Sequence, residues 1–514
     1  MSKPERTPSY IVELPLRVSA GEARTMVSRL EASRRIFNAT LGEALRRLDA
    51  MRGSTKWKQA RDIKDVKLRR EMFKECWKEF ELSDYACQAI ATKHKNAGGF
   101  ESRVGGDITQ KLGTRVWGSV KKYVFEKGGR PRFKGKNRPL HSVEGKTNQA
   151  NIIWKPEVGC LVWGGLALRA LMPNAQQDSY MLEGLKSPTK YCRVLWRMER
   201  GRQRWFVQLV TQGVPPVKRT RQGAVKHQYA TGGEVGLDIG PSTIAVVASG
   251  AAGLEKFAPS VQQPWKHMRR LQRALDRSRR ATNPDNFNSN GTAKKGKHTW
   301  NNSTRYLRVK NALAEVERKL AAGRKRDHGT LINKILKLGI VIKTEKLSYK
   351  AFQKMYGRSV KQRAPGMFVD AISRKAESAG GELLQLNTQA LKMSQLDHLS
   401  ATYTKKPLSQ RYHQLGHTDT FVQRDVYSAF LALHAENAGH NLPKLERAWA
   451  TAEPLLRRVR LCLSIQLPIK SLFRDLTVAL PPSEAIARPR ELRAGHTQVT
   501  LDSPAQLTLR TPGL

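Results

Sequence analysis

Three carboxylates set inside apolar segments constrain this chain more than any other feature. Asp238 lies in EVGLDIGPSTIAVVAS, Glu345 in GIVIKTEKLSY and Asp425 in VQRDVYSAFLALH. Val235, Leu237 and Ile239 alternate with Gly236 and Asp238, the period of a half-buried strand. GlyPro then turns the chain, and IAVVAS returns as the partner strand. GIVIK is a short apolar run suited to a central strand buried on both faces. Val426, Ala429, Phe430 and Leu433 define a helix opening on Asp425. Taken alone, Asp425 serves equally well as a helix N-cap. Taken together, the acids are too far apart for one local motif, so only tertiary structure can unite them.

Their setting is strongly basic. Lys and Arg number 92 against 43 Asp and Glu, a formal net charge of +49. The excess is spread along most of the chain rather than gathered in a tail, which reads as an extended nucleic-acid surface. Carboxylates brought together beside polyphosphate fit divalent cations, because Mg²⁺ (or Mn²⁺) takes hard oxygen ligands and shares them with substrate phosphates. Asp238, Glu345 and Asp425 are therefore the candidate catalytic and metal-binding residues. The five cysteines form no CxxC pair and are odd in number, which argues against a disulfide framework. No run of eighteen apolar residues and no charged-then-apolar leader is visible, so a soluble cytoplasmic protein without a membrane partner is expected.

At 514 residues the chain is long enough for two to four domains. A strand at Tyr10 to Val18 leads into helical segments, the first with Met26, Leu30, Ile36, Phe37, Leu41 and Leu45 at helical spacing. After about residue 128 the texture turns to Gly, Pro and short β-like runs, closing in a hairpin around Gly201. Segments 1–20 and 128–220 read as one β-domain, with 21–127 as a helical lobe inserted into it. Beyond a linker near 213–233 come the Asp238 hairpin, a basic helix KHMRRLQRALDRSRR, a polar Asn-rich stretch expected to be mobile, and a helix carrying Val309, Leu313, Val316 and Leu320. The Glu345 strand and the Asp425 helix follow. A hairpin with an acid on its first strand, joined to a parallel core, is the ribonuclease-H/RuvC arrangement. The fold class expected is α/β and multidomain, a RuvC/RNase H-like domain plus an N-terminal β-barrel domain with a helical insertion.

The motifs also resemble a known family, the TnpB nucleases of bacterial transposons and the compact type V CRISPR effectors. The resemblance is carried by RRIFNATLGEAL, GRPRFKGK, RWFVQLV, GLDIGPSTIAV, KHMRRLQRALDRSRR, GIVIKTEKL and RDVYSAF, in that order over roughly residues 8–435. Tyr427 and Ser428 depart from the Asn and Ala usual in the last motif. The resemblance implies that the β-barrel domain is wedge-like and its helical insertion a recognition lobe. It also implies a nuclease domain at 232–392 and 421–442, and between them a zinc ribbon of two CxxC pairs. In this chain Asp397, Ser400, Tyr412 and Leu415 stand where those cysteines fall, and no cysteine lies between Glu345 and Asp425. Without thiolates no structural zinc is expected, although His398, His413 and His417 are nearby. Segment 393–420 is thus expected to be a degenerate, metal-free ribbon, and 443–514 a poorly ordered C-terminal extension.

The resemblance further implies a guide RNA and a target DNA, with sequence read by base pairing. For contacts to them, 115–136 interleaves aromatics with cations: Trp117, Lys121, Lys122, Arg130, Arg132, Phe133, Lys134 and Lys136. Core packing explains Trp117 equally well. In the basic helix, Met268, Leu271 and Leu275 are expected inward, and Arg269, Arg270, Arg273, Arg277 and Arg280 outward to solvent or RNA. Two alternatives stand beside an RNA-guided endonuclease: a nuclease-silent RNA-guided repressor, and an unguided transposase or resolvase of the same fold.

Overall fold

In the computed structural model, residues 7–464 are described except 127, 136–139, 175–177, 221, 263, 297, 408, 417–419 and 437–438. The chain is mixed α/β, with several separate sheets. Strand β1 (Ser9–Leu16) is followed by five helices: α1 (Ala20–Gly53), α2 (Thr55–Asp62), α3 (Val66–Glu79), α4 (Asp84–Ala97) and α5 (Gly106–Phe125). Helix α1 starts at a capping box in which Ser19 and Glu22 satisfy each other's backbone. The six apolar positions expected on one face of α1 are all buried, against α4 and α5.

Short strands come next: β2 (Ser142–Glu144), β3 (Ile152–Lys155), β4 (Cys160–Trp163) and β5 (Leu166–Arg169). Helix α6 (Ser179–Leu185) then leads to the long hairpin of β6 (Thr189–Glu199) and β7 (Arg202–Gln212). This hairpin turns at Gly201, whose φ of 75° suits glycine. The chain's first strand pairs with the hairpin's last, giving the order β1-β7-β6-β2. Strands β3-β4-β5 form a meander that joins β1 through the bridge Leu16↔Ala170. Among the described residues no ladder joins β3 to β2, although β3 packs on β6.

The second half is built on β8 (Glu234–Ile239), β9 (Thr243–Ala248) and β10 (Ala251–Lys256), then helices α7 (Trp265–Thr282) and α8 (Thr304–Ile335). Strand β11 (Val341–Glu345), helices α9 (Tyr349–Arg363) and α10 (Pro365–Ser378), strand β12 (Glu382–Leu386) and the short α11 (Thr388–Leu391) follow. These strands form a sheet of order β10-β9-β8-β11-β12. Strands β8, β9 and β10 are mutually antiparallel, whereas β11 runs parallel to both β8 and β12. Two small ribbons, β13 (Leu396–Asp397) with β14 (Thr402–Tyr403) and β15 (Tyr412–Gln414) with β16 (Phe421–Gln423), lead into α12 (Arg424–His434).

Two expectations are corrected. The Asn-rich stretch is stitched down: buried Asn283 donates to the carbonyls of Arg279 and Asn301 and accepts from the Asn301 N–H, and the Arg279 guanidinium lies 3.6 Å from the Trp300 ring centroid. The poorly ordered extension from 443 is instead helical at its start. Helix α13 (Leu442–Ser464) buries Leu445, Trp449, Leu456 and Val459 in the same core as α12. Its amphipathic spacing was there to be read in the sequence. Residues 465–514 lie outside the described residues.

Candidate active site

Helix α12 crosses β8 and β11, and one glycine sets how close it comes. A Cβ on Gly236 would stand 2.0 Å from the Ala429 carbonyl oxygen and 2.6 Å from the Leu433 nitrogen, so only glycine lets the helix backbone rest on the strand. Asp238 is two residues further along and faces the same side. Asp425 is one helical turn before Ala429 and on the same stripe. Contact at Gly236–Ala429 therefore brings Asp425 towards Asp238. Glu345 reaches the same corner through strand register: Leu237 pairs with Thr344, so Asp238 and Glu345 leave β8 and β11 side by side. Lys343, also on the α12 side of β11, is buried; it donates to Glu234 at 2.9 Å and to the Leu433 carbonyl at 3.0 Å, tying down the far end of the helix.

Electrostatics report the convergence. Burial, followed by the charges of Asp425 and Glu345, pushes the Asp238 carboxyl well above its usual range, with Arg424 acting against them. Burial alone raises Glu345 to about 7. The Asp425 side chain is 15% exposed, 3.6 Å from the Arg424 Nε and 4.0 Å from an Arg411 guanidinium nitrogen. The helix is capped by Gln423, whose side chain accepts from the Val426 N–H at 2.7 Å, so the N-cap role considered for Asp425 belongs to another residue. Among the described residues no side chain donates a hydrogen bond to the carboxylates of Asp238 or Glu345. Crowded carboxylates without donors are short of positive charge, and hard-oxygen donors of this kind fit divalent cations. Among the described residues no three His, Cys, Asp or Glu side chains are grouped tightly enough to enclose one ion by themselves. An Mg²⁺ site commonly leaves places for water and phosphate oxygens.

Sequence reasoning missed Gly236, Lys343 and Arg424. Each had a visible signal: a glycine in a buried strand, a lone lysine in an apolar run, and a cation adjoining the acid.

In the expected ribbon a carboxylate is tied to backbone N–H groups and a lysine meets a buried imidazole, Lys406 Nζ lying 3.2 Å from His413 Nδ1. Asp397 accepts from the Leu399 and Gly416 N–H groups at 3.1 and 2.7 Å, linking the two knuckles, while Leu415 is fully buried. His398 and His413 are also buried, and desolvation depresses both to about 4. His398 Nδ1 lies 2.8 Å from the Tyr427 hydroxyl. His417 lies outside the described residues.

The expected nucleic-acid contacts divide. On α7, Arg269, Arg270, Arg273, Arg277 and Arg280 are exposed and Met268 is buried; Leu271 and Leu275 are half-buried. Lys121, Lys122 and Arg132 are exposed, as is Phe133 at 58%. Trp117 packs edge-on against Trp77 at 5.9 Å, inside an aromatic cluster of the helical lobe, so its core reading is the one that fits. Arg130 forms a two-pronged pair with Asp49, and the Lys134 backbone bonds to Asn38. Lys136 lies outside the described residues.

No family model matches the chain, and no curated protein matches it. Among solved structures it is similar to a cryo-EM structure of a Cas12f1–sgRNA–target DNA complex, at 12% identity over 83% of this chain and 98% of that one, TM-score 0.39. It is also similar to a CRISPR-Cas12f ternary complex, at 11% identity over 82% and 83%, TM-score 0.22. Likenesses this distant leave the fold to rest on the chain's own topology. No helix among the described residues is long and apolar enough to cross a membrane.

Proposed function

We propose that this chain is an RNA-guided DNA endonuclease of the TnpB or compact type V kind, with a RuvC/RNase H-like catalytic half. The observation that carries this reading is the corner where strand register sets Asp238 beside Glu345 and the Gly236–Ala429 contact brings Asp425 towards them, with the Asp238 carboxyl held well above its usual range. Its topology supports it: an antiparallel β8–β9 hairpin beside parallel β11.

Asp238, Glu345 and Asp425 would hold two Mg²⁺ or Mn²⁺ ions, which when bound supply activation of water and neutralisation of charge on the phosphodiester. The chain's own part is geometric. Strands β8 and β11 fix two carboxylates on adjacent rods, and Gly236 sets the third from α12. The exposed arginines of α7 neutralise phosphates of guide RNA and target DNA. Segments 1–20 and 128–220 form the wedge-like domain, 21–127 the recognition lobe and 232–392 with 421–442 the nuclease, the ribbon at 393–420 being free of zinc.

Sequencing the RNA that copurifies with the protein tests the proposal. One abundant structured RNA with a variable end is expected, and changing that end should redirect cleavage to the complementary DNA. Binding without cutting would leave a guided repressor. Efficient cutting of one fixed site by RNA-free protein would replace the proposal with an unguided transposase or resolvase.

A further inference from the structure

Helix α13 packs at once on the catalytic-corner helix α12 and on the ribbon strand β16. Trp449 sits between them. Its ring centroid lies 4.9 Å from His398 of the ribbon, and 5.5 and 6.2 Å from Phe430 and Tyr427 of α12, each contact edge-on. One turn later Glu453 accepts from the Thr420 hydroxyl at 3.0 Å, holding the segment just before β16. The Tyr427 hydroxyl completes the link by accepting from the His398 backbone N–H at 3.1 Å and meeting its ring nitrogen. Tyr427 is two residues from Asp425. Any looseness of the ribbon therefore reaches a carboxylate of the corner through a single turn of helix.

We propose that α13 takes the place of a structural metal in the ribbon, with Trp449 and Glu453 clamping its two knuckles to α12 and thereby fixing Asp425 against Asp238. Packing is the means available here. Two ribbons of two and three residues per strand are too short to hold together alone. The Asp397–Gly416 hydrogen bond joins the knuckles to each other but not to the helix. The Tyr427 hydroxyl ties His398 to α12 at one point, and Trp449, a large aromatic buried among aromatic rings, packs over that junction and reinforces it. Trp449 is a positioning residue; its effect on catalysis rests on the nuclease reading above, whereas its grip on the ribbon does not.

The competing device is a metal. The Nε2 atoms of His398 and His413 are both buried without a hydrogen-bond partner, and an ion held between them would also pin the ribbon.

Hydrogen exchange on the full-length protein separates the two. In wild-type protein, EDTA should leave protection of residues 396–416 unchanged. Trp449→Ala should speed exchange there by about tenfold or more while β6 and β7 keep their protection, and Trp449→Phe should restore most of it. Glu453→Leu, a milder variant that removes the acceptor, should loosen the Thr420 side alone, and serves if Trp449→Ala does not fold. Release of the ribbon by EDTA, or unchanged protection in both Trp449→Ala and Glu453→Leu, overturns the proposal. In cleavage, Trp449→Ala should need about tenfold more Mg²⁺ for half-maximal rate, the scale of an outer-shell effect on metal affinity. An unchanged Mg²⁺ requirement with a loosened ribbon overturns the positioning role. If wild-type protein cuts nothing, the nuclease reading falls and exchange still decides the clamp.

Discussion

Helix α12 joins two regions that bury ionisable groups for opposite ends. At the acid corner, burial and neighbouring charge hold Asp238 well above its usual range, burial raises Glu345 to about 7, and Asp425 keeps some exposure. At the ribbon, two imidazoles are sealed among aromatic rings and pushed down to about 4. Burial disfavours the charged form in both. At Asp238 like charge adds to desolvation and favours a cation, whereas in the ribbon burial holds the imidazoles neutral, with the Lys406 ammonium 3.2 Å from His413 and Asp397 bound to backbone N–H groups. Buried titratable groups are thus not in themselves a site; what separates the regions is whether the charge is left uncompensated and reachable.

The largest effect that could break this contrast is on chemistry. Asp238→Ala, Glu345→Ala and Asp425→Ala should each slow DNA cleavage by at least about 10³-fold, about 4 kcal/mol of barrier, with nucleic-acid binding retained. His398→Phe should spare most of the rate. A variant acid that still cuts leaves the corner, and a His398→Phe as dead as Asp238→Ala abolishes the distinction.

Gly236→Ala probes the approach that assembles the corner. Its Cβ has no room against the α12 backbone, so a loss of stability of about 1–3 kcal/mol is expected in urea unfolding, with slower cleavage. Unchanged stability would mean the helix does not rest there.

Next comes pH, in chelated protein. His398 and His413 fold as neutral imidazoles, so their contribution is complete above the ordinary value of 6.5 and is lost as pH falls towards 4. Glu345 runs the other way: its contribution is present below 4.5 and is lost as pH rises through about 7. Glu345→Gln should therefore gain on the order of 2 kcal/mol over wild type at pH 8 and little at pH 4. No gain at pH 8 would show that the corner is not short of positive charge.

The smallest effect lies outside both regions. Replacing Arg269, Arg270, Arg273 and Arg277 together should lower the salt slope of nucleic-acid binding by up to about 3 to 4, leaving the corner's metal requirement alone. Arg130→Gln should change the slope less, because Asp49 already neutralises that guanidinium. Equal slopes for the α7 variant and wild type would take α7 off the phosphate path.

Much of the corner was legible in sequence because strand period and helical spacing are local. The alternation around Asp238 fixed its strand, and the apolar run fixed the one holding Glu345. The reason these strands meet α12 was harder to see: Gly236 matters only through backbone atoms of a helix almost two hundred residues away. Partners within the cation segment 115–136 were hidden for the same reason, since nothing local shows that Trp117 packs on Trp77 or that Asp49 engages Arg130. The start of α13 was passed over because the motifs had already ended.

Mn²⁺ binding to the protein–nucleic acid complex, followed by electron paramagnetic resonance, tests the central claim most directly. Two Mn²⁺ per chain within magnetic coupling distance are predicted, with the coupled signal lost in Asp238→Asn and unchanged in His398→Phe. No coupled pair in wild-type protein, or one that survives Asp238→Asn, would contradict the assignment of the corner.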